Sequence, residues 1–363
     1  MSAVGRTTRD RNKNTKKKKV MMMMMKPKPA DEPPRRICGV AHLLACIALI
    51  AGCQTAPPPA AAPAAAWVDD DALEHLGDFA GLWLRSDSVE AFVTATPYPR
   101  VLALRQPGEA SPLITDIAPY VGIRTAYLEP VQIDASYGPA TQPARIRRLS
   151  DTEVEVRAEP DPDAKLQLSM IVALDAEPGV LTVRHRMENV SDAERTLHLW
   201  SLTCLRRTGR FVVPFGRDDR PYRTLTYFWW TPLPQPGIDM ARRTLTLDMD
   251  APLNGGAMKL GVHNDAGWVA YALGRQALVS FVPHDADAVY AEAGDNITLF
   301  QAEGDERTWG EMEQIGPATT IGPGEAATLD ETFFLVTLGE LPDEDADADA
   351  WRDAIEAALP NRE

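Results

Sequence analysis

The chain has 363 residues, with 37 Lys and Arg against 52 Asp and Glu and a formal net charge of −15. An acidic surface of that size repels phosphate backbones, which excludes nucleic acid as a partner. Hydrophobic residues make up 45%, enough for one large core rather than a disordered chain.

In chain order, the first 36 residues hold 12 Lys and Arg against 3 Asp and Glu, and a run of five methionines occupies 21–25. Nothing there has the pattern of a core. The segment reads as a cytoplasmic extension or as upstream of a start codon within the methionine run. Arg35-Arg36 is followed by the uncharged stretch 37–52 and then Cys53. Basic, apolar and small-residue parts in that order are an export signal, and 16 residues fall short of the ~20 a spanning helix needs. Ile50-Ala51-Gly52-Cys53 resembles a bacterial lipoprotein signal, which implies acylation of Cys53, cleavage before it and a lipid bilayer as partner. Residues 1–52 are then extension and signal, and the remainder carries 25 basic and 49 acidic side chains, a net of −24. Gln54 follows the cysteine where aspartate would imply inner-membrane retention, so the cell envelope, at an outer membrane, is the expected location.

Residues 53–66, rich in Pro and Ala, read as an extended tether. From 67 to 340 the signal is strand after strand with period two. Residues 154–157, 166–168, 183–187 and 245–249 alternate, and 170–174, 197–205, 267–273, 277–282 and 332–338 read as strands buried on both faces. Turn residues separate them, such as Asn254-Gly255-Gly256 and Gly322-Pro323-Gly324. Parallel βαβ units are disfavoured because no long amphipathic helix lies between strands. The one helix pattern, 348–359 within the acidic segment 341–363, puts Trp351, Ile355 and Leu359 on one stripe. The expected fold class is all-β, a large antiparallel sandwich closed by a short C-terminal helix.

Cys38 and Cys46 leave with the signal and Cys53 carries lipid, so Cys204 alone remains, in an apolar run where a buried thiol is the ordinary case. Two lysines follow the signal, Lys165 and Lys259, which reads as a compositional bias. No His-x-His, His-x-x-x-His or calcium-loop pattern occurs, and no cofactor or metal is expected.

Several segments, in order, resemble galactose-mutarotase-like (aldose 1-epimerase-like) supersandwich proteins, and a bacterial lipoprotein family within them. They are the hairpin 89–104 with Pro99-Arg100-Val101-Leu102, Gly122-Ile123-Arg124 with Tyr127, Glu129 and Pro130, and the strand pair 180–189 and 195–203. Lys259-Leu260-Gly261, Gly267-Trp268-Val269-Ala270-Tyr271, Glu311-Met312-Glu313-Gln314-Ile315-Gly316-Pro317, Pro323-Gly324-Glu325 and 331–338 complete the match. The resemblance implies a mutarotase-type β-supersandwich and a carbohydrate ligand. Glu313 takes the position of the family's catalytic carboxylate, and Glu311 points to the same face of the strand, about 7 Å away. The family's acid is a histidine, and its place here is Leu202, which cannot transfer a proton. His198 is four residues away, and His185, His263 and His284 are the other candidates; His284 has Asp285 beside it.

Sugar binding calls for flat aromatic faces ringed by planar polar groups. Trp200, Trp229, Trp230 and Trp268 are the candidate faces, with Arg124, Glu311 and Gln314 as polar partners; Tyr227, Phe228, Trp309, Arg206 and Arg207 are further sources. Three functions stay open on sequence alone. They are a carbohydrate-binding lipoprotein, an aldose epimerase with Glu313 as base, and an envelope scaffold without a pocket.

Overall fold

The computed structural model describes residues 65–116, 120–129, 136–215, 225–228, 230–291, 294–303, 308–343 and 346–360. The signal, Cys53 and most of the tether lie outside the described residues, as does Trp229.

Every strand pairing is antiparallel, and the strands form two sheets. The first runs edge to edge as β1 (Glu74–Leu76), β2 (Phe79–Arg85), β3 (Glu90–Thr96), β4 (Arg100–Arg105), β5 (Ile123–Leu128), β10 (Arg195–Arg206), β19 (Thr308–Ile315), β18 (Ile297–Glu303), β15 (Ala257–Val262) and β12 (Leu225–Tyr227). A short β20 (Thr319–Ile321) pairs with the start of β10. The second runs β13 (Ile238–Met240), β14 (Thr244–Asp248), β11 (Arg210–Pro214), β16 (Trp268–Leu273), β17 (Gln276–Phe281), β21 (Ala326–Thr337), β9 (Val180–Asn189), β8 (Leu166–Leu174), β7 (Glu153–Ala158) and β6 (Ala144–Arg148). The sequence pattern marks β7, β10, β14, β16 and β17 to within two residues at either end, and the alternating and doubly buried runs at 166–168 and 170–174 are one strand, β8.

The main core lies between the sheets, because each strand sends alternate residues inward. Ile123 and Tyr127 of β5, Leu199 and Leu205 of β10, and Met312 of β19 meet Leu168, Val183, Phe333 and Leu335 of the second sheet. A polar cluster crosses this core. His185 Nδ1 lies 2.7 Å from Thr125 Oγ1, and His185 Nε2 lies 3.0 Å from Glu331 Oε2. Ser201 and Ser280 each donate to Glu331 at 2.5 Å, one to each oxygen. Gln314 donates to Ser280 Oγ and to the Gly267 carbonyl. Every member is buried, so the cluster stands only because its polar atoms find one another.

The helix α1 (Ala348–Ala358) begins where Asp347 accepts a hydrogen bond from the Ala350 amide, a side-chain N-cap. It lays Trp351 and Ile355 on the outer face of the second sheet, beside Val212, Trp268 and Ala270. Arg243 holds its first turns through Asp349 and Asp353.

Candidate functional site

The outward face of the first sheet carries the chemistry. Parity along each central strand decides it: Arg124, Leu202, Glu313 and Thr298 form one cross-strand row, with Leu202 opposite both Arg124 and Glu313. The neighbouring row on that face is Cys204, Glu311, Phe300 and Lys259. Arg124, Glu313, Glu311, Phe300 and Lys259 of these rows line a cavity of about 340 Å³.

Glu313 is buried, and three donors meet on its Oε2. Trp200 Nε1–H donates at 2.9 Å, Lys259 Nζ lies at 3.0 Å, and the Thr298 hydroxyl donates as well. Glu311 repeats the arrangement on Oε1, taking Arg124 Nη2 at 2.8 Å, Trp309 Nε1 at 3.3 Å and Cys204 Sγ at 3.3 Å. The side chains of Arg124 and Glu311 are 5% and 6% exposed, and those of Lys259 and Glu313 are 11% and 1% exposed. Both ion pairs are therefore desolvated, and each cation is matched by one carboxylate.

Aromatic rings complete the walls. The Arg124 guanidinium lies 5.2 Å from the Tyr120 ring and 4.8 Å from Tyr137, and Lys259 Nζ lies 4.6 Å from Trp200 and 5.1 Å from Phe228. Tyr120 stacks on Trp309, which packs on Phe300, which meets Trp230 edge-on. Cations over ring faces in a dry site are held more tightly than at a surface. Tyr137 sits just before a 3-10 turn, Gly138–Thr141, that buried Arg100 ties down by donating to the Ala140 carbonyl at 2.8 Å.

Burial works against the charge of Arg124, and Glu311 more than restores it, so its pKa is raised. Burial pushes the Glu311 carboxyl up, with Arg124 pulling against it and Glu313 adding to the rise. The Tyr137 phenol is raised by burial and then by Glu313, and so stays a neutral hydroxyl. The Cys204 thiol is raised well above its ordinary value by burial and by Glu311, which leaves it no thiolate and no nucleophilic role.

Of the residues singled out in the sequence, Arg124, Trp200, Trp230, Trp309, Glu311 and Glu313 line this cavity together. Trp268 and Gln314 stand elsewhere, which corrects their expected place. Gln314 follows Glu313 in a strand, so it faces inward and joins the core cluster. Trp268 belongs to the second sheet and packs on its outer face near α1. Arg207 is drawn away to Glu303 at 3.3 Å. Phe228, one of the aromatics the sequence offers, lines the cavity too, and Lys259, Tyr120, Tyr137 and Phe300 do so although the sequence motifs do not mark them for it. Lys259 carries a usable signal: it is a lone lysine between Met258 and Leu260, both inward-facing and apolar, so strand parity aims it outward. None of the described histidines lines the cavity. His198 contacts the Gly316 carbonyl at 3.1 Å, and burial lowers its pKa.

No protein-family model matches the sequence, and no curated protein matches it. Solved structures do. A galactose mutarotase-like protein from Lactobacillus casei superimposes with a TM-score of 0.50 at 13% identity, covering 70% of this chain and 99% of that one. A galactose mutarotase related enzyme from Lactobacillus acidophilus gives a TM-score of 0.48 at 7% identity, over 72% and 99% of the two chains. A galactose mutarotase-like protein from Clostridium acetobutylicum gives 0.45 at 10% identity, over 73% and 98%. The fold is the galactose mutarotase-like supersandwich.

Proposed function

We propose that this cavity binds a neutral monosaccharide unit of a carbohydrate, and that the protein does so as an exported lipoprotein held in the cell envelope by acylated Cys53. The observation that carries the binding reading is the pair of matched ion pairs walled by aromatic rings. The carboxylates offer acceptors to sugar hydroxyls and the cations offer donors, while Trp200, Trp230 and Trp309 offer flat apolar faces. Because each cation already has its carboxylate, a charged sugar would bring an unmatched charge into a dry site, which is costly. A volume of about 340 Å³ suits one small ligand. A leucine-packed surface would have supported the scaffold; the polar floor argues against it.

The test is thermal unfolding of the protein against a panel of neutral and acidic monosaccharides and oligosaccharides. The reading expects a neutral sugar to raise the unfolding temperature, with uronic acids giving less. A shift from acidic sugars alone, or none from any sugar, counts against it.

A second reading, aldose epimerisation, has one observation in its favour. Lys259 is a proton-bearing group 3.0 Å from Glu313 Oε2, in a site where Leu202, opposite Glu313, replaces the family's acid. Glu313 would take the anomeric hydroxyl proton and Lys259 would protonate the ring oxygen as the sugar opens. Exchange between anomers in magnetisation-transfer NMR, absent in Lys259→Met, would establish it. Exchange no faster than in buffer would leave binding alone.

The anchor rests on the order of basic, apolar and Gly-Cys parts in residues 35–53. Mass spectrometry of protein from bacterial membranes is expected to find an N-terminus at Cys53 carrying acyl chains. Cys53→Ser is expected to leave the leader uncleaved. A mature N-terminus elsewhere contradicts the anchor.

A further inference from the structure

Away from the cavity, three ligating side chains meet at one end of the two sheets. His263 follows β15, Asp265 lies in the loop to β16, and His284 stands three residues after β17, so strands of both sheets contribute. We propose that His263, Asp265 and His284 form a site for a divalent transition-metal cation, with zinc as the best-fitting ion. The sequence patterns searched for, His-x-His, His-x-x-x-His and a calcium loop, pass over His263-x-Asp265, and His284 joins it only through the fold.

Two of the distances match those a metal asks for. His263 Nε2 lies 3.1 Å from Asp265 Oδ1, and His284 Nδ1 lies 3.5 Å from the same oxygen. Zinc bonds of ~2.0–2.1 Å in tetrahedral geometry place neighbouring ligand atoms about 3.3 Å apart. One ligand atom from each residue falls within 4.8 Å of the others.

The protons point the same way. His263 Nδ1 lies 2.9 Å from the Gly294 carbonyl, which only accepts, so that nitrogen carries a hydrogen. In the neutral ring Nε2 then holds a lone pair aimed at Asp265, which is unfavourable unless a cation lies between them. A ring nitrogen donating to a backbone carbonyl while the other faces the metal is the usual second contact of a ligating histidine. The non-metal arrangement is an imidazolium on Asp265. Two rings face this carboxylate, with centroids 4.9 Å apart. A dication satisfies two neutral imidazoles and one carboxylate at once.

The site is also rigidly framed. Buried Asn264, between two of the ligands, donates to the Trp268 carbonyl and accepts from the Ala266 and Gly267 amides. Its backbone exchanges two hydrogen bonds with the Asn296 side chain, at 2.7 and 2.9 Å. His284 stacks on Tyr290, with 14° between the rings. Ligands fixed in this way lose little freedom when a metal binds. Imidazole donors favour zinc and its neighbours over magnesium or calcium.

The experiment uses the full chain without a tag, stripped with chelator, dialysed against zinc chloride and assayed for retained metal. The wild type is expected to hold about one zinc more than His263→Gln/His284→Gln, with calcium not retained in its place. Comparing the two proteins removes any contribution from the N-terminal cysteines, which both contain. Side-chain 15N NMR of the unaltered protein gives a second readout that does not depend on the variant folding: zinc is expected to move the Nε2 resonance of His263. Equal zinc in wild type and variant, or a His263 resonance that zinc leaves in place, would overturn the proposal.

Discussion

Glu313→Gln is expected to weaken sugar binding by about 10- to 100-fold, the range for losing a hydrogen bond to a charged group. The substitution keeps the shape of the side chain and removes its charge. It also takes the carboxylate charge from the Lys259 ammonium, which is only 11% exposed and pairs with Glu313. Two effects are therefore mixed, a lost acceptor and a lost partner, and Lys259→Met in the same chain separates them. The double variant is expected to regain most of any stability lost by Glu313→Gln, since removing both members of a buried pair is far milder than removing one. It is not expected to regain affinity. Calorimetric titration with the best sugar from the panel, alongside thermal unfolding of the three variants, checks both parts. Affinity recovered together with stability would mean that Glu313 acts through the fold and does not touch the ligand.

His185→Leu is expected to be the most damaging single change in the core, at about 3–5 kcal/mol, the cost of breaking a buried charged or polar pair from one side. His185 and Glu331 are both buried, and Glu331 also takes hydrogen bonds from Ser201 and Ser280. Leucine fills the volume but leaves Thr125 and a Glu331 oxygen without His185 in a dry core. His185→Leu/Glu331→Leu is expected to cost less than the sum of the two single changes, with a coupling of about 1–3 kcal/mol, because the residues satisfy each other. Urea unfolding of the single and double variants measures this. Strict additivity would show that the cluster does not act as a unit.

Much of this architecture is legible in the sequence, for reasons that are physical and local. Period-two alternation marks the strands because a half-buried sheet demands it, and β7, β9 and β14 read almost to their ends. Helix α1 is equally plain, since Trp351 and Ile355 share a stripe and Asp347 caps it. The family resemblance supplies the sandwich that alternation alone leaves open. Leu202, which the resemblance puts in the place of the family's acid, lies directly opposite Glu313 in the sheet, a pairing only the structure shows.

The site is only half legible. Parity puts Glu311 and Glu313 on one face of their strand and Gln314 on the other, so alternation by itself separates Gln314 from the two carboxylates. Trp268 has no such marker, because nothing local says which sheet a strand joins. Tyr120 and Tyr137 reach the cavity from loop and turn segments whose paths depend on tertiary contacts such as Arg100 to the Ala140 carbonyl. Lys259 looks like composition when lysines are counted, although a lysine alternating with Met258 and Leu260 is a better clue to an occupied face than its rarity suggests.

The most direct test of the central claim is to follow the fluorescence of the cavity tryptophans while titrating a neutral sugar into the wild type and into Trp200→Leu. If the cavity is a carbohydrate site, the wild type gives a saturable change, and Trp200→Leu weakens binding at least tenfold while remaining folded by circular dichroism. Saturation with unchanged affinity in Trp200→Leu, or no saturable change with any sugar of the panel, would contradict it.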